Sequence, residues 1–199
     1  FENTANDIMG VNNGTVHGAV FVDGQCGRAL SVDGVDDYVN LGSNILCPPT
    51  SDWAVSFRMK PAGGTVNLYP TMLYLKGGLY GMQIAYRPDL GGIGAGYTDG
   101  SPFLITATIP TTTKYTHIFI YRKSGVLNFY FDCINQTSSA PLNNSTNIIS
   151  FSTIGTRFTN QSANYWKGTI DNLKIYNFPA SRIITQSDIQ RDYLNLPIF

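Results

Sequence analysis

Apolar and polar residues alternate along most of the chain with a period of two, the pattern of strands that have one buried face. In residues 53–60 the odd positions are apolar, whereas the even positions include Ser56, Arg58 and Lys60. Residues 127–133 repeat the alternation. The pattern predicts an almost wholly β architecture of packed antiparallel sheets. Further strands are predicted near residues 15–22, 28–32, 37–41, 71–76, 79–86, 91–98, 102–108, 115–122, 147–155 and 166–176.

Turn residues separate these segments, and a helical spacing occurs only near the end of the chain. Asn-Gly or Asp-Gly pairs at 13–14, 23–24, 33–34 and 99–100 favour loops with positive backbone φ. Within Ile183–Leu194, Ser187 precedes Gln190 by three residues, as in a capping box, which predicts one short C-terminal helix.

Nothing along the chain indicates a domain boundary, because it has no Pro/Ser-rich linker, low-complexity tract or solenoid repeat. We therefore expect a single domain over residues 1–199. The first residue is Phe1 and not Met, so we expect a processed chain or a domain excised from a longer protein.

Charge, hydropathy and composition narrow the possible partners and location. Thirteen basic and thirteen acidic residues give a net charge of zero, which excludes an electrostatic nucleic-acid binder. No apolar run is long enough to cross a bilayer, so we expect no direct membrane insertion. Asn, Thr, Ser, Tyr and Gly dominate the polar surface, which is typical of an extracellular protein; the oligomeric state is left open.

The residues available for catalysis are few. Glu2 is the single glutamate and lies at the chain start. Asp36 and Asp37 are adjacent and on a strand would point to opposite faces, so we interpret them as turn and sheet-edge residues and not as a catalytic pair. His17 and His117 fit no metal-ligand spacing, and no GxSxG turn exists. We interpret His117 as a core histidine and expect that the protein is not an enzyme.

Several stretches together carry a family resemblance, and they extend from one end of the chain to the other. The first is NNGTVHGAVFVDGQCGRALSVDGVDDYVNLG (12–42), the second combines WAVSFRMKP (53–61) with YTHIFIYRKSGVLNFYFDC (115–133), and the third is WKGTIDNLKIYNFPASRIITQSDIQRDY (166–193). The chain thereby resembles the laminin-G-like, concanavalin A-like jelly-roll domains. The resemblance implies an all-β sandwich of two antiparallel sheets, one of them concave, with the first and last strands as neighbours.

The same resemblance implies a function in recognition, since the fold serves lectins, adhesion modules, glycoside hydrolases and virion proteins. We expect a non-catalytic extracellular module that binds carbohydrate or a surface protein. Twelve tyrosines could stack on sugar rings, although the sequence does not select among them. The alternative is a structural subunit or decoration domain of a filament, coat or virion. Related glycosidases carry a Glu-x-Asp-x-x-Glu strand, which a chain with one glutamate cannot form.

Three cysteines make an odd set, of which two are expected to pair in an oxidising compartment. A hairpin centred near Val35 would bring Cys26 close to Cys47, so this is the predicted disulfide. Cys133 is predicted to stay buried and reduced.

Five asparagines begin Asn-x-Ser/Thr sequons, and acceptors of this kind lie on exposed loops. We predict glycan on some of them: Asn13, Asn135, Asn143, Asn144 and Asn160.

The resemblance further implies a structural calcium ion where the first and last strands meet. Its ligands would be Glu2 and Asp171, completed by backbone carbonyls and water. The alternative is that Asp171 accepts backbone hydrogen bonds or pairs with an arginine.

Overall fold

The protein is described by a computed structural model over most of its length. The described residues are 1–47, 51–62, 70–76, 81–87, 92–97, 104–105, 112–136, 140–141, 149–157, 164–179 and 182–198. No helix among them is long and apolar enough to cross a membrane.

Fifteen strands and one helix make up the described part of the chain. The strands are β1 Thr15–His17, β2 Val20–Asp23, β3 Arg28–Asp33, β4 Tyr38–Cys47, β5 Asp52–Pro61, β6 Thr71–Lys76, β7 Met82–Arg87, β8 Gly92–Tyr97, β9 Leu104–Ile105, β10 Thr116–Lys123, β11 Val126–Phe131, β12 Ile134–Asn135, β13 Ala140–Pro141, β14 Ile149–Ile154 and β15 Lys167–Phe178. The helix is α1 Gln186–Tyr193.

The strands form two antiparallel sheets. One has seven strands in the order β1-β4-β14-β6-β7-β8-β9. The other has eight strands, ordered β12-β11-β10-β5-β15-β3-β2, with β13 also paired to β11. The last long strand, β15, lies between β5 and β3, so the end of the chain is paired beside its beginning. The predicted fold class, a two-sheet β-sandwich with one short helix, is confirmed.

The core lies between the two sheets and is built by the alternation seen in the sequence. The apolar odd positions of β5 point inward with the aromatic residues of β11 and β14. Trp53 packs edge-on against Phe151, with ring centroids 6.0 Å apart, and joins the sheets. Both side chains are almost fully buried, so each contributes a few kcal/mol of apolar transfer free energy, about 1.5–3 kcal/mol for a large side chain.

The chain changes sheets between β3 and β4. Leu30 and Val32 enter the core from the eight-stranded sheet, whereas Val39 and Leu41 enter it from the seven-stranded sheet. The expected hairpin around Val35 is therefore wrong, because β3 pairs with β2 and β15 while β4 pairs with β1 and β14. An Asp-Gly turn between apolar runs cannot distinguish a hairpin from a crossing between layers.

Three other sequence expectations are corrected at element ends. The strand predicted over 15–22 is two strands in different sheets, with Gly18 at φ +73° between them. Strand β11 ends at Phe131, because Cys133 adopts a positive φ of 67° in the following turn. The capping box is Thr185 with Asp188, two residues earlier than the expected Ser187 with Gln190.

Helix α1 covers the outward face of the eight-stranded sheet. Ile189 and Ile198 pack on a second apolar cluster formed by Ala54, Phe119 and Phe178. The sandwich therefore has a small third layer, which shields aromatic residues that would otherwise face water.

A buried polar network joins the helix to the sheet. The Asp192 carboxylate accepts hydrogen bonds from His117 Nε2 at 2.8 Å, Lys174 Nζ at 3.0 Å and the Tyr176 hydroxyl at 2.6 Å. Burial alone would raise the pKa of Asp192, but these donors, led by His117, outweigh it and hold that pKa well below its ordinary value. The expectation of a hydrogen-bonded core histidine is thus confirmed for His117, which is 3% exposed.

Replacing Asp192 by Ala should lower the free energy of unfolding by about 3–5 kcal/mol, because it leaves the buried donors without their acceptor. Tyr176→Phe removes one hydrogen bond and should cost about 1 kcal/mol. Urea denaturation measures the stability of both variants.

The lowered pKa of Asp192 also predicts a pH dependence. Its contribution to the free energy of unfolding is complete above the ordinary aspartate pKa of about 4 and is lost as the pH falls below it. An Asp192→Ala protein of unchanged stability would contradict this account of the network.

Candidate functional site

Three carboxylates meet where the chain crosses between sheets. The ligand oxygens of Asp33, Asp36 and Asp37 lie within 4.8 Å of one another, with Asp37 buried and the other two exposed. Asp37 Oδ2 accepts from the Asp33 backbone N–H at 3.0 Å, and Asp33 Oδ1 accepts from Val35 N–H at 2.8 Å. These bonds fix the turn between β3 and β4, as expected for turn and sheet-edge residues, and Asp36 and Asp37 do not point apart as they would on a strand.

Gly18 makes room for this cluster. Its φ of +73° suits glycine, and a Cβ at this position would collide with Asp37 Oδ1. Burial raises the pKa of Asp37, the Asp33 N–H lowers it, and the charges of Asp33 and Asp36 raise it further, with a net upward shift. A cation or a set of hydroxyl donors beside the cluster would relieve that repulsion.

Aromatic rings border the carboxylates. His17 and Tyr38 are cross-strand partners of β1 and β4, and their rings stack with centroids 4.3 Å apart at an interplanar angle of 9°. His17 is exposed and Tyr38 half-buried. Tyr165 is buried next to them; burial raises its pKa, and the neighbouring Tyr38 and Asp36 raise it further. We call this group of six the rim cluster: His17, Asp33, Asp36, Asp37, Tyr38 and Tyr165.

The rim cluster combines a flat, partly exposed ring surface with hydrogen-bond acceptors. Such surfaces bind the apolar face of a sugar ring while carboxylates accept from its hydroxyls. The sequence pointed to the tyrosines in general but could not select Tyr38, because its neighbours come from separate strands. The DGVDDY motif (33–38) was the one signal that could have located the cluster.

Two further carboxylates, Glu2 and Asp171, bind the loop between β2 and β3. Glu2 Oε1 accepts from the Arg28 backbone N–H at 3.3 Å, and a Cβ at Gly27 would collide with this oxygen. Asp171 Oδ2 accepts from the Gln25 N–H of the same loop at 3.0 Å and lies 2.6 Å from where a Cβ of Gly24 would be. We call Glu2 and Asp171, together with the loop that they hold, the clamp.

Asp171 keeps one carboxylate oxygen without a partner. The residue is fully buried, and among the described residues no donor reaches Oδ1. Asp171 lies opposite Arg58 on the outward face of the sheet, whereas Leu173 and Ile175 pack on the core. The sequence placed all three on one face; a bulge between Asp171 and Lys174, with Asn172 at φ +50°, separates them.

The expected disulfide is wrong in this structure, which has free thiols at all three cysteines. Cys26 is exposed in the clamp loop of the eight-stranded sheet, whereas Cys47 is buried at the end of β4 in the other sheet. The hairpin that would have joined them does not form. Cys133 is half-buried rather than in the core, and its thiol contacts the Ile189 carbonyl at 3.8 Å beneath α1.

Two of the five sequons lie on the described surface. Asn13 and Asn135 are exposed; the Asn13 side-chain oxygen accepts from the Asp7 N–H, and the Asn135 amide donates to the Tyr130 hydroxyl at 3.2 Å. Asn143, Asn144 and Asn160 lie outside the described residues. Glycosylation stays a prediction.

Two antiparallel sheets with this strand order, and a rim of acidic and aromatic residues, define a jelly-roll domain of the lectin-like class. The family model described as the concanavalin A-like lectin/glucanases superfamily matches residues 33–190, more than half of the chain. The chain belongs to this superfamily, as its motifs indicated. No curated protein matches the sequence.

Solved structures share the fold at low identity. Domain 4 of AbnA, a GH43 extracellular arabinanase from Geobacillus stearothermophilus solved with arabinotriose, has a TM-score of 0.64 at 18% identity, with 90% of each chain covered. Trypanosoma rangeli sialidase has a TM-score of 0.69 at 14% identity over 98% of this chain and 31% of its own. The binding domain of Paraclostridial Mosquitocidal Protein 1 gives 0.62 at 17%, covering 94% and 48% respectively. The chain thus spans about a third of the sialidase and about half of the toxin domain.

Thiol labelling should separate the cysteines by their environments. We expect Cys26 to react with Ellman's reagent in the native protein. Cys47 should react only after unfolding, because it is 1% exposed and burial raises its pKa to about 12. Cys26→Ser should remove the fast phase. A denatured, unreduced protein that shows one thiol instead of three would restore the Cys26–Cys47 disulfide.

Proposed function

We propose that the protein is a non-catalytic carbohydrate-binding module that acts outside the cell. The observation that carries this proposal is the stacked, partly exposed His17–Tyr38 ring pair beside three converging carboxylates. The fold relationship to a domain solved with arabinotriose, and to a toxin domain named for binding, supports it. The composition, neutral and poor in charge, favours a surface that recognises neutral ligands.

The geometry favours binding over hydrolysis. Glycosidases of the two-carboxylate type hold their carboxyl groups about 5–5.5 Å or about 6.5–9.5 Å apart, on either side of the scissile bond. In the rim cluster the three carboxylates come from a single turn, Asp33–Asp37, and not from separate strands on either side of a cleft. The buried histidine, His117, is sealed beneath α1 and does not reach this surface.

A glycan array followed by calorimetry tests the proposal. Tyr38→Ala should weaken binding of the best ligand by about tenfold or more, because an aromatic face contributes on the order of 1 kcal/mol beyond its area and the His17 stack is lost with it. Tyr38→Phe keeps the ring and should retain most of the affinity. Asp23→Asn is the matched control, since the Asp23 side chain is 96% exposed and is not part of the rim cluster.

Two outcomes would overturn this function. The first is an array without any ligand above background, particularly if the native protein is isolated as an ordered polymer, which would favour the structural role. The second is binding that Tyr38→Ala leaves unchanged.

We also propose that the clamp holds a structural calcium ion. Calcium takes six to eight hard oxygen ligands, and a fully buried carboxylate oxygen without a donor is costly unless a cation compensates it. Asp171 Oδ1 is such an oxygen, and Glu2 supplies a second carboxylate against the same loop. The hydrogen bonds that Asp171 Oδ2 accepts satisfy only half of the group. When bound, the ion would cross-link the start of the chain to β15.

Chelation tests the ion. The melting temperature should fall in excess chelator and recover with calcium, because a ligand that binds the folded state stabilises it by mass action. The chelator effect should disappear in Asp171→Asn and persist in Asp36→Asn, whose carboxylate belongs to the rim cluster. An unchanged melting temperature together with a metal-free elemental analysis would remove calcium, and loss of the effect in Asp36→Asn alone would move it away from the clamp.

A further inference from the structure

The N-terminal loop presents an apolar tip to solvent. Ile8 is 98% exposed, Met9 77% and Val11 70%. These three neighbouring side chains, called the apolar tip below, contact little of their own protein. Contiguous exposed apolar residues on a folded domain mark a contact with another apolar phase, either a protein or a membrane.

The tip is held in place by Asp7. Its Oδ1 accepts from the Met9 N–H at 3.1 Å, and its Oδ2 accepts from the backbone and side-chain amides of Asn12, both at 3.2 Å. The Asp7 carbonyl accepts from the Gly10 N–H at 2.8 Å, and Gly14 N–H donates to Ala5 at 2.9 Å to close the loop. Both Asp7 oxygens are thus occupied within the loop. The exposure of the tip is therefore built into the loop and is not the result of a chain end without structure.

Asp7 is the one charged residue directly beside the tip in the sequence. Residues 8–22 contain no Asp, Glu, Lys or Arg, and His17 is their only titratable side chain. Insertion of the three side chains would therefore bring one charged group of the loop towards a low-dielectric phase, the half-buried Asp7 carboxylate, whose oxygens already accept hydrogen bonds from Met9 and Asn12. The absence of basic residues argues against anionic lipid as the attracting group and favours a zwitterionic surface.

Size and shape distinguish a bilayer from a protein partner. Three apolar side chains alone cannot supply the about 800 Å² per partner that a stable protein interface buries. The tip also projects from a loop, so it offers no flat or concave face to a second copy. A bilayer interface requires only that apolar side chains enter the boundary between headgroups and acyl chains.

We propose that the apolar tip is a peripheral membrane contact, in which Ile8, Met9 and Val11 enter the interface of a zwitterionic bilayer. The contact is shallow and involves three side chains and no spanning segment. It changes the expectation from the sequence that the protein does not insert into membranes. It is independent of the proposed sugar binding at the rim cluster.

A tryptophan reporter tests this contact directly. Trp53 and Trp166 are each 1% exposed, so a tryptophan placed at the tip by Met9→Trp would be the responsive fluorophore. On titration with phosphatidylcholine vesicles its emission should shift to the blue, and lipids brominated near the headgroup should quench it. Adding Ile8→Ser and Val11→Ser to this variant should weaken partitioning by about tenfold or more.

Ile183→Trp provides the matched control, since Ile183 is 69% exposed before the C-terminal helix, outside the tip. Its emission should not change with lipid. The proposal fails if Met9→Trp shows no shift at about 1 mM lipid, roughly ten times the concentration at which a myristoyl chain is half bound. It fails equally if both reporters shift alike, or if the shift requires anionic lipid.

Discussion

The crossing between β3 and β4 is the constraint on which the rest of the molecule depends. Two sheets can share one core only if the chain passes from one layer to the other, and one of its several crossings is the short turn that contains Asp36. The buried Asp37 carboxylate holds the turn through the Asp33 N–H, and Gly18 leaves space for it. The same carboxylate that holds this crossing therefore helps to bring the rim cluster together.

The opposite face of the eight-stranded sheet is organised differently. Aromatic side chains such as Phe119 and Phe178 would face water there, and α1 covers them. Apolar packing alone would not fix the position of the helix along the sheet. The directional bonds between Asp192 and its donors on β10 and β15 do so, at the cost of burying a charge. The part of this face beneath α1 is consequently closed to solvent.

Period-two alternation could predict the strands and the sandwich because the inward side chains of β5 and β11 share one apolar environment. The alternation could not predict the register of β15 or the crossing between β3 and β4, because single residues determine both. Asn172 at positive φ shifts the register of β15, and this moves Asp171 to the outer face. The Asp33 turn crosses between layers where a hairpin was expected, so Cys26 and Cys47 end in different sheets. Asp171 and Glu2 were found through family resemblance, while Tyr38 needed the fold, because strand pairing alone puts His17 beside it.

The first residues of the chain connect the clamp to the apolar tip. Glu2 is bound to the backbone of Arg28, and the Arg28 guanidinium donates to Asn3 at 3.2 Å. A few residues later the Ala5 carbonyl closes the tip loop through Gly14. A cation at the clamp would therefore fix the segment from which the tip loop begins and reduce the conformational entropy that the loop must lose to present its side chains. Because Asp7 satisfies the loop internally, the tip would keep its shape but lose part of its anchorage without the ion. A cation at the clamp would thus restrict the residues that precede the tip loop, whereas the Asp7 hydrogen bonds fix the conformation of the tip itself.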